Sequence, residues 1–203
     1  MKAIFNRRMF SEKLITSDRL NQLGGIVHQF PKPGEYTGLN YNGKQECGSF
    51  VLTVSDNHKN SQVDIDLYSV NQQIGKFALA VGGYAVFYAS QSSRGFSTVV
   101  YREAMKAKTE DKVFDSTSLK KGDLFYCHLL LPGKYTATNK IYKHEINILV
   151  SPLKIKSTYR ELEPLTINVH SGGFKPQSAK IMAAQGLVFK VDTDSTISIT
   201  RND

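Results

Sequence analysis

The clearest pattern of hydrophobic and polar positions in the chain lies in residues 121–151, KGDLFYCHLLLPGKYTATNKIYKHEINILVS. An apolar run at Leu124–Leu131 is followed by Pro132-Gly133, by alternation from Tyr135, and by a further apolar run at Glu145–Val150. Aromatic and β-branched residues suit a pleated, half-buried surface, and Pro-Gly favours a turn. The segment therefore predicts three consecutive strands in an antiparallel meander.

Short runs of the same kind precede this segment. The predicted strands are Ile26–Phe30, Ser49–Val54, Gln62–Val70, Phe77–Ala89 and Phe96–Arg102. Apolar and polar positions alternate within the third run, and Gly82-Gly83 divides the fourth into a bent strand or two strands. Short strands separated by Gly or Pro turns predict an all-β, antiparallel protein.

Residues 1–25 carry a different, helix-like pattern. Ser11 or Ser17 is a candidate N-cap, and Gly24-Gly25 is a candidate stop signal. The apolar positions on the shared helix face are Leu14, Ile15, Leu20 and Leu23. The segment predicts either a short helix or an arm that docks on the body or on another subunit.

One phrase occurs twice in the chain. Pro33-Gly34-Glu35-Tyr36-Thr37 matches Pro132-Gly133-Lys134-Tyr135-Thr136, and each is followed by an apolar run that ends in Val-Ser. The match indicates either a duplicated β-unit or two ordinary tight turns. Gly-x-Tyr at the start of a strand resembles the tyrosine corner of immunoglobulin-like domains. The resemblance implies that Tyr36, Tyr135, Gly34 and Gly133 are structural, with each ring buried and each hydroxyl bonded to the backbone.

The C-terminal part carries a second resemblance. From Leu165 the chain reads LTINVHSGGFKPQSAKIMAAQGLVFKVD, a strand, Gly-Phe-x-Pro, an apolar strand, Gly, and Val-Phe-x-Val ending in Asp. This phrase, over residues 165–192, resembles the opening of a cupredoxin-like domain. The two resemblances imply an antiparallel Greek-key β-sandwich, Ig-like or cupredoxin-like. The predicted division is residues 1–25 as arm or helix, 26–151 as main sandwich, and 152–203 as a β extension or second small β unit.

The cupredoxin-like resemblance implies a copper site, for which two imidazoles and a thiolate are suitable ligands. The candidates are Cys127, His128, His144 and His170. Two features oppose it. The copper-binding histidine of the family is replaced by residues 192–196, DTDST. Cys127 and His128 are adjacent, so on a regular strand they face opposite ways. We therefore expect no cofactor, with copper as the alternative.

Composition narrows the function classes. The 203 residues carry a net charge of +8, but lysines and arginines are interspersed with carboxylates, which favours a solvated surface over a nucleic-acid interface. Cys47 and Cys127 are expected to be thiols, although a bridge between them stays open. The sequence has no apolar run of membrane-spanning length and no signal peptide after Met1, so we expect a cytoplasmic protein or one within an assembled particle.

The sequence predicts a non-catalytic protein. It contains no Gly-x-Ser-x-Gly, His-Glu-x-x-His or Cys-x-x-Cys motif. We expect a structural or binding subunit that assembles with itself or with partner proteins through sandwich edges and the N-terminal arm, as a homo-oligomer or part of a larger assembly. The alternatives are a copper-binding or electron-transfer protein, and a module that binds carbohydrate or acidic ligands through exposed Tyr41, Tyr84 and Tyr88.

Overall fold

The computed structural model describes residues 7–91, 95–103, 111–153 and 162–202. A 3-10 turn covers Arg7–Phe10, and the helix α1 covers Leu67–Val70. The strands are β1 (Leu14–Thr16), β2 (Gly24–Gln29), β3 (Gly34–Asn42), β4 (Gln45–Val54), β5 (Gln62–Asp66), β6 (Gly75–Leu79), β7 (Tyr84–Tyr88), β8 (Phe96–Arg102), β9 (Asp111–Asp115), β10 (Leu124–His128), β11 (Gly133–Asn139), β12 (His144–Ser151), β13 (Leu165–His170), β14 (Gly173–Lys175), β15 (Ser178–Met182), β16 (Gly186–Val191) and β17 (Ile197–Asn202).

The strands form three sheets. The central sheet has seven strands in the order β14-β13-β16-β10-β2-β7-β5. Sheet A has five strands, β1-β17-β11-β12-β15, and sheet B has five, β6-β4-β3-β8-β9. Within the described residues, no helix is long and apolar enough to cross a membrane.

One face of the central sheet is buried across most of its width. Residues at paired positions on six neighbouring strands are all 0% exposed: Ile65, Phe87, Ile26, Phe125, Phe189 and Ile167. These side chains belong to a single core cluster that includes the inner residues of sheets A and B. The core therefore runs along the central sheet, which explains the alternating apolar positions in the sequence.

The strands wind as stacked coils. From β4 the chain crosses to β5 in the central sheet, returns to β6 beside β4, and crosses again to β7 beside β5. The pairs β4 with β6 and β5 with β7 are both parallel. Strands β12, β13, β15 and β16 repeat this path with parallel pairs β12 with β15 and β13 with β16. The architecture is a β-solenoid of stacked coils.

The prediction of an all-β protein is confirmed, because the described residues form seventeen strands and one four-residue α-helix. The prediction of a Greek-key β-sandwich, Ig-like or cupredoxin-like, is wrong. Parallel neighbours need a crossing between layers, which a hairpin cannot provide. Alternation shows which strand face is buried, but it is the same in parallel and antiparallel pairs, so it does not determine the path of the chain.

Local predictions also need correction. The predicted strand Gln62–Val70 ends at Asp66, and Leu67–Val70 form α1, which Asp66 caps. β11 and β12 pair as antiparallel neighbours, but β10 lies in the central sheet between β2 and β16, so the three strands are not one meander. Residues 11–23 form no helix. They contain β1, which pairs antiparallel with β17. Tertiary pairing outweighs the weak helical pattern there.

The described residues form two structurally equivalent repeats. Repeat 1, β1–β8, and repeat 2, β9–β17, place equivalent side chains in equivalent contacts. The Tyr36 hydroxyl donates to the Lys32 carbonyl at 2.6 Å, and the Tyr135 hydroxyl donates to the Leu131 carbonyl at 2.8 Å. The equivalent positions Ile26 and Phe125 pair with each other in the central sheet. A local two-fold axis therefore passes between β2 and β10, and the repeated Pro-Gly-x-Tyr-Thr phrase marks a duplicated β-unit.

The repeats exchange their first strands. β1 pairs with β17 of repeat 2, and β9 pairs with β8 of repeat 1. Two buried serines make the same bond in each exchange: Ser17 Oγ accepts from the Ile197 amide at 3.0 Å, and Ser116 Oγ accepts from the Thr98 amide at 2.9 Å. β13–β17 complete the sheets that β10–β12 begin. Strand pairing therefore crosses residue 152, and the chain divides between β8 and β9.

Candidate functional site

A cavity of about 390 Å³ lies where the two repeats meet, and we call it the junction cavity. It is formed by the corner between β2 and β3, the end of β8, the start of β9 and the turn before β10. Its lining residues are His28, Gln29, Phe30, Pro31, Lys32, Tyr36, Arg102, Asp111, Val113, Lys121, Gly122 and Asp123. Since β9 reaches sheet B only through the strand exchange, the cavity depends on both repeats.

A histidine and a carboxylate are paired in the cavity wall. His28 Nδ1 lies 2.6 Å from Asp123 Oδ1. The other carboxylate oxygen, Oδ2, accepts from the backbone amide of Lys120 at 2.7 Å. The Asp123 side chain is 3% exposed and the His28 side chain 17% exposed. The carboxylate is thus held from two sides, and it fixes the orientation of an imidazole that water still reaches.

Aromatic rings hold the imidazole in place. The His28 ring meets Phe30 edge-on with centroids 4.9 Å apart, and it lies 4.7 Å from the Phe114 ring. Phe114 in turn stacks on Phe87 of the central sheet at 4.9 Å. Side chains packed in this way have few free rotamers. His28 is therefore preorganised by both a hydrogen bond and ring packing.

The cavity is also cationic at its exposed parts. Lys32 and Lys121 are exposed, and Arg102 is half-buried. Arg102 Nη2 donates to the Pro33 carbonyl at 2.6 Å, which places the guanidinium at the corner before β3. Asp111 is the exposed acidic residue of the lining. Because the carboxylate of Asp123 is taken up by His28 and an amide, the three cations favour an anionic ligand.

The equivalent place in repeat 2 is filled. Its cavity measures about 10 Å³, and it is lined by Met9, Glu12, Lys13, Ile15, Leu23, Leu129, Leu130, Leu131, Tyr135 and Ile199. Leu131 stands where repeat 1 has Lys32, and Cys127 stands where it has His28. Among the described residues, the same corner is therefore packed with aliphatic side chains in one repeat and open, charged and polar in the other.

The chemistry of the junction cavity suits binding. Among the described lining residues the hydroxyl is that of Tyr36, which donates to the Lys32 carbonyl at 2.6 Å. The pair provides a fixed hydrogen-bonding group and the basic side chains provide charge. Such a mixture of a few placed polar groups with apolar walls is typical of small-molecule sites.

The candidate copper ligands are not brought together. Cys127 is fully buried, and this burial raises the pKa of its thiol. His128 faces the opposite side of the strand and lies 3.3 Å from the Ala184 carbonyl. His144 Nε2 lies 3.0 Å from the Ser171 carbonyl, and His170 Nδ1 lies 3.1 Å from Asp192. Within the described ranges, no three His, Cys, Asp or Glu side chains form a group that could hold a metal ion.

The residues predicted to be structural form one corner in each repeat. Tyr36 and Tyr135 are buried, with the hydroxyl contacts given above. Gly34 has φ 151° and Gly133 has φ 150°. A Cβ on Gly34 would lie 3.0 Å from Arg102 Nε, and one on Gly133 would lie 3.2 Å from Arg201 Nε. Glycine at these positions leaves room for the arginine that caps each corner.

Other candidates from the sequence are dispersed. Cys47 and Cys127 are free thiols. Tyr84 and Tyr88 are on β7 of the central sheet, whereas Tyr41 is on β3 of sheet B, so the three do not form one stacking surface. Sequence reasoning missed His28 and Asp123 because they are far apart in the chain and carry no local motif. The signal available in the sequence was the difference between the two repeats at equivalent positions, His28 against Cys127 and Lys32 against Leu131.

No protein-family model, no curated protein and no solved structure matches this chain.

Proposed function

We propose that this protein is a binding module for a small acidic ligand, which it holds in the junction cavity. The observation that carries the proposal is the contrast between the two corners. A duplicated corner that is filled by leucines in repeat 2 is kept open in repeat 1, with a buried carboxylate on a histidine and three cations around it. Buried polar groups cost stability unless they are satisfied, so an open polar corner indicates a use other than packing.

Different lining residues contact different parts of the proposed ligand. Lys32 and Lys121 are exposed and attract an anion from solution. Arg102, fixed by its bond to the Pro33 carbonyl, offers its remaining N–H groups to a carboxylate or phosphate. His28 presents one fixed polar edge, and the rings of Phe30 and Tyr36 with Pro31 provide apolar wall.

The test uses glucuronate as a probe in a calorimetric titration of the wild type and of Lys32→Leu. This substitution copies the residue at the equivalent position, Leu131. We expect the affinity to fall about fivefold, because a charge at contact distance is worth roughly 1 kcal/mol in water. Lys134→Leu, on β11 and outside the cavity, is the control and leaves the affinity unchanged. Equal affinity of Lys32→Leu and wild type contradicts the proposal.

A second candidate function is self-assembly, favoured by a difference between the outer faces of sheets A and B. Leu39, Val51, Val99 and Tyr101 face outwards on sheet B and are half-buried. The equivalent outward positions on sheet A are Thr138, Asn147, Ser198 and Thr200. At these four positions repeat 1 has apolar residues where repeat 2 is polar, which is typical of a face that contacts another molecule.

A second copy of the chain is the occupant that the charges favour. Lys76 lies at one lateral edge of this face and Lys112, which also pairs with Asp115 at 2.9 Å, lies at the other; Glu35 and Glu46 lie at its strand ends. Sheets that pack face to face can cross at about 90°. In that arrangement the lysines of one copy lie over the glutamates of the other. The N-terminal arm is not needed for this contact, because β1 already pairs with β17.

Sedimentation velocity tests the assembly. We expect a dimer for the wild type and a monomer for the double variant Leu39→Thr, Val99→Ser, which copies sheet A. Leu149→Thr removes an exposed leucine, 42% exposed, from the outer face of sheet A and serves as the control that stays dimeric. A wild type that remains monomeric at high concentration contradicts self-assembly and leaves the ligand proposal untouched.

A further inference from the structure

We infer that His28 Nε2 is a bare hydrogen-bond acceptor inside the junction cavity, so that the ligand is an acid that also carries a hydroxyl donor, as a sugar acid does. This inference rests on the proposed binding function and names the class of ligand. It follows from the bonding of the two ring nitrogens and from the charges beside them.

The contacts of Asp123 determine which nitrogen of the His28 ring carries the proton. Asp123 has two oxygens, and each has one partner: Oδ2 accepts from the Lys120 amide at 2.7 Å, and Oδ1 lies 2.6 Å from His28 Nδ1. An ionised carboxylate only accepts hydrogen bonds, so Nδ1 must carry the proton. When the ring carries a single proton, that proton is therefore on Nδ1, and Nε2 is unprotonated and accepts.

The other ring nitrogen, Nε2, is accessible from the cavity. His28 lines the cavity and keeps 17% of its side chain exposed. Among the described residues, none gives Nε2 a hydrogen-bond partner, and Nε2 is not one of the buried side-chain atoms left without one. Phe30 and Phe114 prevent the ring from turning away. The lone pair of Nε2 is therefore presented to whatever occupies the cavity.

The lone pair of His28 Nε2 and the nearby cations select different groups of a ligand. An anionic oxygen placed against a bare nitrogen is repelled, whereas a hydroxyl donates to it. Lys32, Arg102 and Lys121 lie around the same cavity and take the anionic group. A volume of about 390 Å³ is large enough for a hydroxylated six-membered ring with one carboxylate. The cavity therefore fits a hydroxylated acid better than a simple carboxylate.

The test compares two probes that share a six-membered ring and a carboxylate and differ chiefly in hydroxyls: glucuronate and cyclohexanecarboxylate. Each is titrated into the wild type and into Asp123→Asn. In this variant the amide oxygen can accept from Lys120 and the amide nitrogen can donate to His28 Nδ1, so the ring proton moves to Nε2 without a change of shape. The loss of the Asp123 charge affects both probes alike and cancels in the ratio of their affinities.

We expect the preference for glucuronate to fall about fivefold in Asp123→Asn, the worth of one hydrogen bond, because the simple carboxylate can now accept from Nε2. Nitrogen-15 NMR of the His28 ring in the wild type gives a second readout that needs neither ligand nor variant, and we expect the proton on Nδ1 alone. A proton on Nε2 in the wild type, or an unchanged preference in the folded variant, overturns the inference.

The outcomes separate this inference from the proposed function. If the wild type binds both probes without preference, the cavity is an anion site and the ligand class is wrong. If the wild type binds neither probe, the proposed function fails together with it. A preference for glucuronate combined with a bare Nε2 supports both.

Discussion

Two tyrosines carry the same local structure in both repeats, and each provides a control for the other. The hydroxyls of Tyr36 and Tyr135 donate to the Lys32 and Leu131 carbonyls. We predict that Tyr36→Phe and Tyr135→Phe each lower the free energy of unfolding by about 1 kcal/mol, because a carbonyl loses its partner. Tyr135→Ala costs about 3–5 kcal/mol through the cavity that it leaves. Denaturant melts measure all three, and an unchanged midpoint for Tyr135→Ala contradicts the structural role.

Asp66 makes stability depend on pH at one identifiable residue. Burial acts to raise the pKa of this carboxyl, but hydrogen bonds from Ser90, Ser69 and Tyr68 outweigh it and hold the pKa below its usual value. A lowered folded pKa means that the charged form stabilises the fold above about pH 4, the value of a free aspartate. This contribution is lost as the pH falls through the folded pKa.

We therefore predict that Asp66→Asn is less stable than the wild type by about 1 kcal/mol at pH 7, since the remaining oxygen is a neutral acceptor and the amide nitrogen cannot accept from the Ser69 and Ser90 hydroxyls. The difference narrows when the melts are repeated near pH 3. Asparagine still caps α1, so the loss reports the charge and not the cap. A difference that is the same at both pH values contradicts this assignment.

Residue types alone revealed the tyrosine corners, because their glycine, tyrosine and proline are contiguous in the chain. The His28–Asp123 pair was not predictable in this way. Its members come from β2 and from the turn before β10, and only the antiparallel pairing of those strands brings them together. A pair created by strand register has no signature in either segment.

At the scale of elements, the exchange of first strands rests on a matched pair of bonds. Ser17 and Ser116 are 0% exposed, and each accepts from a backbone amide of the other repeat. We predict that Ser17→Ala and Ser116→Ala each cost about 1–3 kcal/mol, because a buried N–H is left unpaired. The two costs add in the double variant, since the sites share no partner.

Equilibrium unfolding of the two single variants and the double variant measures this. The comparison is informative because the two bonds are equivalent while the strands differ in their place in the chain. β1 is near the N-terminus, and β9 directly follows repeat 1. If Ser116→Ala is costly and Ser17→Ala costs nothing, β1 does not pair with β17 in solution and the exchange is one-sided.

The sequence predicted elements better than their pairing. Phe96–Arg102 is a strand with the predicted bounds, and the division of Phe77–Ala89 at Gly82-Gly83 is also observed, as β6 and β7. The parallel pairs, such as Val54 with Leu79, were not predicted. They depend on crossings between sheets, and a short apolar run contains no information about which sheet it joins.

At the scale of the whole molecule, the two repeats share a framework and differ at their corners. The tyrosine, glycine and arginine of each corner are the same, while the residues around them are leucines in repeat 2 and lysine, proline and phenylalanine in repeat 1. We propose that this difference makes a binding site of the repeat 1 corner only.

Arg102→Ala and Arg201→Ala test that claim most directly. Each arginine donates to the proline carbonyl of its own corner, at 2.6 Å for Arg102 and 3.1 Å for Arg201, but only Arg102 lines the junction cavity. The predicted result of a glucuronate titration is an affinity about fivefold or more below wild type for Arg102→Ala and unchanged for Arg201→Ala. Equal affinities for the two variants contradict the account.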